Sequence, residues 1–190
     1  MKTVLLPQLF RHSYSKSAAR AGSRTGRFLK PGLFCIIFLC GVVSLFADPA
    51  EGYWISVDDK TGRVTAGWHV YEEAGVLYGR ILSIADFPQD TPALSCKESY
   101  PDFPLPGKVN EMRVVGTIWL YGLEKEREGR WSGGRLVDPN NGNLYGCRVT
   151  FHAAGGRYRT DTLEVRGTVG PFGASQFWRK SSREEASALH

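Results

Sequence analysis

The stretch Arg63-Val64-Thr65-Ala66-Gly67-Trp68-His69-Val70-Tyr71 decides the fold class. Val64, Ala66, Trp68 and Val70 alternate with Arg63, Thr65, His69 and Tyr71. Successive side chains of extended backbone point to opposite sides, so a period of two marks a strand with one buried face. Upstream, Tyr53–Val57 has strand composition, and Asp59-Lys60-Thr61-Gly62 joins the two as a turn whose glycine supplies a positive φ. Downstream, Glu72-Glu73-Ala74-Gly75 turns the chain into a third run, Val76–Ile84.

The pattern continues to the end of the chain. Arg113–Tyr121 sets Val114, Ile118 and Leu120 on one face and Thr117, Trp119 and Tyr121 on the other. Glu124-Lys125-Glu126-Arg127-Glu128-Gly129 reads as a solvated turn of mixed charge. Arg130–Val137 then runs into Asp138-Pro139-Asn140-Asn141-Gly142, a hairpin signal, and Leu144–His152 returns with Tyr145, Cys147, Val149 and Phe151 on one face. After Ala153-Ala154-Gly155-Gly156 come Thr162–Val169 and Gln176–Lys180; the polar tail, residues 181–190, is expected to fray. Residues 85–111 break the rhythm with Pro88, Pro92, Pro101, Pro104 and Pro106, and are expected to form a long loop, because proline removes ladder donors. About eight short antiparallel strands joined in sequence predict an all-β chain that hides its edges by closing as a small barrel. A sandwich of two sheets is the alternative.

The charge is unevenly distributed. The 190 residues carry 24 Lys+Arg and 19 Asp+Glu, a net +5. Seven of the basic residues (Lys2, Arg11, Lys16, Arg20, Arg24, Arg27 and Lys30) precede Pro31 and no acidic residue does, so the chain from Asp48 carries −2. The basic total therefore gives no reason to expect nucleic acid. Leu33–Ala47 is uncharged and largely apolar, and Asp48-Pro49 follows it directly. A positive flank, a short apolar centre and a small boundary residue form an export signal. Fifteen residues of helix cover about 22 Å, short of the roughly 30 Å hydrocarbon core, which favours a cleaved signal over a retained anchor. The expected product is a single domain over 48–180, released outside the cytoplasm by cleavage near Ala47. Lipidation at Cys40 is the other route, although Leu39 before it fits poorly.

Cys35 and Cys40 leave with such a signal, so Cys96 and Cys147 remain. In an oxidising compartment the pair forms one disulfide; otherwise they stand as separate thiols, with Cys147 filling core space beside Val149. The sequence has no CxxC or His/Cys cluster and points to no metal or cofactor. Asp138-x-Asn140-x-Gly142 resembles half a calcium loop, but Val149 stands where the bidentate Glu is needed. No G-x-S-x-G or phosphate-cradling loop is present, so no enzyme activity is expected. His69 and His152 fall on the faces turned away from the apolar side. The candidate site is Trp131, Arg135, Asp138, Tyr145 and Arg166. Alternation puts Trp131 and Arg135 on one face, and two guanidinium groups beside aromatic rings suit an anion at a barrel mouth. A buried polar network that fixes the barrel is the competing reading.

Read together, Asp48-Pro49-x-x-Gly52-Tyr53-Trp54, Leu77-Tyr78-Gly79-Arg80-Ile81, Trp131-Ser132-Gly133-Gly134-Arg135-Leu136-Val137-Asp138-Pro139, Leu163-Glu164-Val165-Arg166-Gly167-Thr168-Val169-Gly170 and Trp178-x-Lys180 resemble the bacterial domain of unknown function 2147 family. The resemblance spans residues 48–180 and implies an exported lipocalin/calycin-like barrel with no established activity. Cysteines common in that family near the second hairpin are replaced here by Tyr71 and Tyr78. Gly52-Tyr53-Trp54 is also similar to the G-x-W of lipocalin-type first strands, which implies a structural role for Gly52, Trp54, Trp178 and Arg179, with Arg179 covering Trp54. The functional expectation is a non-catalytic exported barrel that binds a small or lipid-like ligand or an envelope partner. The alternative is an interaction module using an edge strand or the 85–111 loop.

Overall fold

Eight strands follow one another with antiparallel partners and close on themselves. They are β1 (Gly52–Val57), β2 (Val64–Glu73), β3 (Val76–Ile84), β4 (Ile118–Arg127), β5 (Arg130–Asp138), β6 (Asn143–His152), β7 (Thr162–Val169) and β8 (Phe172–Ser181). The computed structural model describes residues 47–58 and 60–189. The basic leader and its apolar stretch up to residue 46, with Cys35 and Cys40, lie outside the described residues. Each strand pairs with the next, and β1 pairs with β8 through Tyr53–Ser181, Trp54–Lys180 and Ile55–Arg179. Closure pairs the two terminal strands over three residues of each, and from Phe172 to Trp178 β8 is laddered to β7 alone.

Alternation sorts the side chains. Trp54 lies opposite Trp68, Ser56 opposite Ala66, Val149 opposite both Trp131 and Val165, and Leu163 opposite Trp178, which sets the inner face. Trp54, Trp131, Trp178, Leu77, Leu123 and Leu163 are all at most 1% exposed, a core at one end of the barrel. Burial of side chains this large contributes about 1.5–3 kcal/mol each. The start of β1 and the β2–β3, β4–β5 and β6–β7 turns lie at this end.

Three elements differ from expectation. β4 begins at Ile118 and runs to Arg127, so most of the charged segment read as a turn is exposed strand, and the reversal is confined to Glu128-Gly129. Gly129 takes a φ of +68° there, as a tight reversal requires. The tail does not fray: after Ser181 a short helix, α1 (Arg183–Ser187), is capped by Ser182 and docks on the outer face of the barrel. Ala186 is fully buried and its carbonyl accepts from Ser83 Oγ at 2.7 Å. Gly67 lies under that carbonyl, where a Cβ has no room.

The third difference is the proline-rich segment, which is ordered and built into the core. Ala93, Cys96, Tyr100 and Val109 are buried. The segment packs over the outer face of β4 and β5, where Phe103 contacts the rings of Trp119 and Tyr121 and Tyr121 Oη donates to the carbonyl of Pro101. Tyr100 Oη donates to the carbonyl of Gly142 at 2.8 Å and accepts from Lys97 N. Burial pushes both phenols up to about 12, so both stay protonated donors. A strand facing core on one side and this segment on the other explains why Ile118, Trp119, Leu120 and Tyr121 are buried without alternation.

Candidate functional site

The five residues singled out from the sequence do not converge. A bulge at Gly133, with φ +77°, shifts the register between Trp131 and Gly134 and reverses the facing of the residues after it. Trp131 therefore points into the barrel, while Arg135 points out and pairs with Asp102 of the proline-rich segment at 3.0 Å. Simple alternation across the Gly-Gly pair failed because the bulge adds a residue to β5. Asp138 closes its own turn, accepting from Asn140 N at 3.0 Å and from the amides of Asn140 and Asn141 at 2.8 Å. Burial pushes its carboxyl up against those hydrogen bonds. Arg166 lies on the outer face of β7, where it donates to Ser175 Oγ and the carbonyl of Gly173. Tyr145 is half-buried on the inner face. The anion-binding cluster is not assembled, and of the five only Tyr145 faces the open end of the barrel.

Arg179 is likewise misplaced as the cover of Trp54. The cation over that indole is Lys180, with Nζ 4.3 Å from the ring centroid, and Nζ also donates to the carbonyl of Glu51 at 2.8 Å. Alternation already pairs Lys180 with Trp178 on one face and turns Arg179 to the other, where it is exposed. Cys96 and Cys147 are separate buried thiols, not a disulfide. Burial alone pushes the Cys147 thiol up to about 12, which makes it inert. Tyr71 and Tyr78 face each other across β2 and β3 as a stacked pair 5.8 Å apart.

The residue that sequence reading missed is Asp48. Its side chain is fully buried, and its carboxylate accepts from Ala50 N at 3.0 Å, Gly129 N at 3.1 Å, Trp131 Nε1 at 3.1 Å and Lys125 Nζ at 3.0 Å. Burial raises this carboxyl, but the four donors together outweigh it and hold the pKa below the ordinary value. Asp48 N donates in turn to Glu51 Oε1 at 2.8 Å, so Asp-x-x-Glu forms a reciprocal turn that closes the barrel. Ala50 is fully buried in this turn, and its carbonyl accepts from Trp54 Nε1 at 3.0 Å. The Asp-x-x-Glu spacing was the available signal.

Toward the opposite end this core is bounded by an aromatic floor. Trp68 and Trp178 stack with centroids 4.4 Å apart and planes 22° from parallel. Trp68 Nε1 donates to Ser56 Oγ at 3.2 Å, Trp178 Nε1 donates to Gln176 Oε1 at 2.7 Å, and Gln176 Nε2 donates to the carbonyl of Val57. Beyond this floor the inner face carries small side chains at Ala66, Cys147, Gly167 and Ala174. Tyr145, Ala174 and Gln176 face inward and yet are half-buried, whereas at the closed end Trp54, Leu77, Leu123, Trp131 and Leu163 are fully buried. The two ends thus differ: one is closed around Asp48 and its donors, and the other keeps partly exposed inward residues beyond an aromatic floor. Among the described residues there is no cluster of His, Cys, Asp and Glu suited to hold a metal ion. Among them, too, no helix is long and apolar enough to cross a membrane.

The architecture has a counterpart among solved structures. Protein HP1028 from the human pathogen Helicobacter pylori, which belongs to the lipocalin family, superposes with a TM-score of 0.55 over 72% of this chain and 85% of its own, at 20% identity. At that identity the likeness establishes the fold, a lipocalin-like barrel. No curated protein matches the chain. The family model described as "uncharacterized protein conserved in bacteria (DUF2147)" matches residues 52–180, from the first residue of β1 into β8. With most of its length so matched, the chain belongs to the DUF2147 family of conserved bacterial proteins.

Proposed function

We propose that this protein is an exported, non-catalytic barrel that binds a small apolar or lipid-like ligand through its open end. The observation that carries the reading is that Tyr145, Ala174 and Gln176, inward residues above the Trp68–Trp178 stack, stay half-buried. The inward residues of this end, the buried Ser56, Ala66, Cys147 and Gly167 and the half-buried Ala174 and Gln176, carry no charge, which suits an apolar or neutral group. The lipocalin-like fold supports the same reading, and the basic leader with its apolar stretch supports delivery across a membrane.

The test uses a fluorescent naphthyl fatty-acid probe and native mass spectrometry of protein purified from a bacterial periplasm. Saturable micromolar binding that quenches tryptophan emission, and that is lost in Ala174→Leu while the far-UV spectrum is kept, supports the site. No saturable binding and no retained mass reject it. Fractionation of the full chain decides export separately, a cytoplasmic protein rejecting that half.

A partner-docking role for the proline-rich segment is the second reading, favoured by Leu94, which is 77% exposed on it. Deleting the segment cannot test this, because it contributes core residues. Leu94→Glu can: loss of a co-purifying envelope protein supports docking, and unchanged capture rejects it.

A further inference from the structure

The turn that closes the barrel begins at the residue where an export signal would be cut. Ala47 is exposed, while the Asp48 side chain beside it is fully buried. Asp48 N lies 2.8 Å from Glu51 Oε1, and Glu51 Oε2 accepts from Glu72 N at 3.0 Å, so the Glu51 carboxylate bridges the start of the domain to the end of β2. Lys180 holds the same residue through its carbonyl. In the uncut chain the Asp48 contact pairs a neutral amide donor with the Glu51 carboxylate.

We infer that the Ala47–Asp48 bond is the processing site, and that the amine freed there is a structural cation of the mature protein. The inference rests on the proposal that the protein is exported. A membrane endopeptidase adds water across the bond: the water oxygen joins the Ala47 carbonyl carbon, which leaves as a carboxylate, and the Asp48 nitrogen takes up both protons of the water and becomes an ammonium. That ammonium stands where the amide stood, opposite Glu51 Oε1. The carboxylate already assists the amide bond, and an ammonium donor adds the attraction of a full opposite charge. Cleavage therefore tightens the latch over the closed end. A cut within the turn instead would remove the carboxylate that holds Trp131, Gly129 and Lys125.

The full chain is expressed in a bacterium and its periplasmic form weighed intact; the expected first residue is Asp48. Absence of the protein from the periplasm overturns export and with it this inference, whereas a retained leader or a cut at another bond overturns this inference and leaves export standing. The chain starting at Asp48 with a free amine is then compared with the same chain extended upstream by Ala47. The free-amine chain is expected to melt about 3 °C higher, and the gap is expected to vanish when both carry Glu51→Gln. Equal melts, or a gap that survives Glu51→Gln, overturn the structural role of the ammonium.

Discussion

The carboxylate of Asp48 accepts the indole Nε1 hydrogen of Trp131 at 3.1 Å, across 83 residues of chain. One buried acid at the start of the domain thereby ties the N-terminal turn to β5, and through Gly129 and Lys125 to the β4–β5 reversal as well. Removing it leaves several buried donors unpaired, and each such donor costs about 1–3 kcal/mol.

Asp48→Ala is accordingly expected to lower the unfolding free energy by about 3 kcal/mol, and Asp48→Asn by less, since the amide oxygen still accepts. Urea unfolding at neutral pH checks the order. The wild type should also lose stability in acid. A carboxyl with its folded pKa below the unfolded value stabilises the fold at pH above about 4 and loses that contribution as pH falls through the folded pKa. The stability difference between wild type and Asp48→Asn should therefore shrink on acidification below about pH 4.

Lys180 rather than Arg179 covers Trp54. Lys180→Met keeps the packing but removes the charge and its bond to the Glu51 carbonyl, with an expected loss of about 1 kcal/mol. Arg179→Ala, at an exposed outward position, is expected to change stability by less than about 0.5 kcal/mol. Thermal melts of the two variants side by side measure the contrast.

Gly67→Ala is expected to release α1. The new Cβ would occupy the position of the Ala186 carbonyl, so helix and strand cannot both keep their places. Hydrogen exchange at residues 183–189 should speed up at least tenfold, with the β1–β8 pairing still protected.

The proline-rich segment is held by burial and hydrogen bonds more than by its ion pair. Asp102 is exposed, so Asp102→Ala should cost less than about 0.5 kcal/mol. Tyr100→Phe removes the donor to Gly142 and the acceptor for Lys97, with an expected cost of about 1–2 kcal/mol. Equal losses in the two variants would contradict this ranking.

Much of the barrel was legible locally. Period-two runs at 64–71, 144–152 and 162–169, the glycine-bearing turns between them, and the need to hide edges lead to a closed antiparallel barrel without any long-range information. Alternation within one strand is a property of extended backbone, so neighbouring residues suffice to read it. It also put Lys180, not Arg179, on the face of Trp178, whereas the lipocalin-like pattern pointed to the wrong cation.

Tertiary structure decided the features that depend on closure. The bulge at Gly133 separates Trp131 from Arg135, because register around a closed sheet is set by all eight ladders together. The proline-rich segment became part of the core because β4 and β5 offered it an apolar outer face, which their own pattern did not announce. Asp48 became the keystone of the closed end because donors from Trp131, Gly129 and Lys125 meet there only once the barrel has closed. The sequence by itself determined that the chain folds as strands around an aromatic core; which charges are buried, and which end stays open, depend on long-range packing.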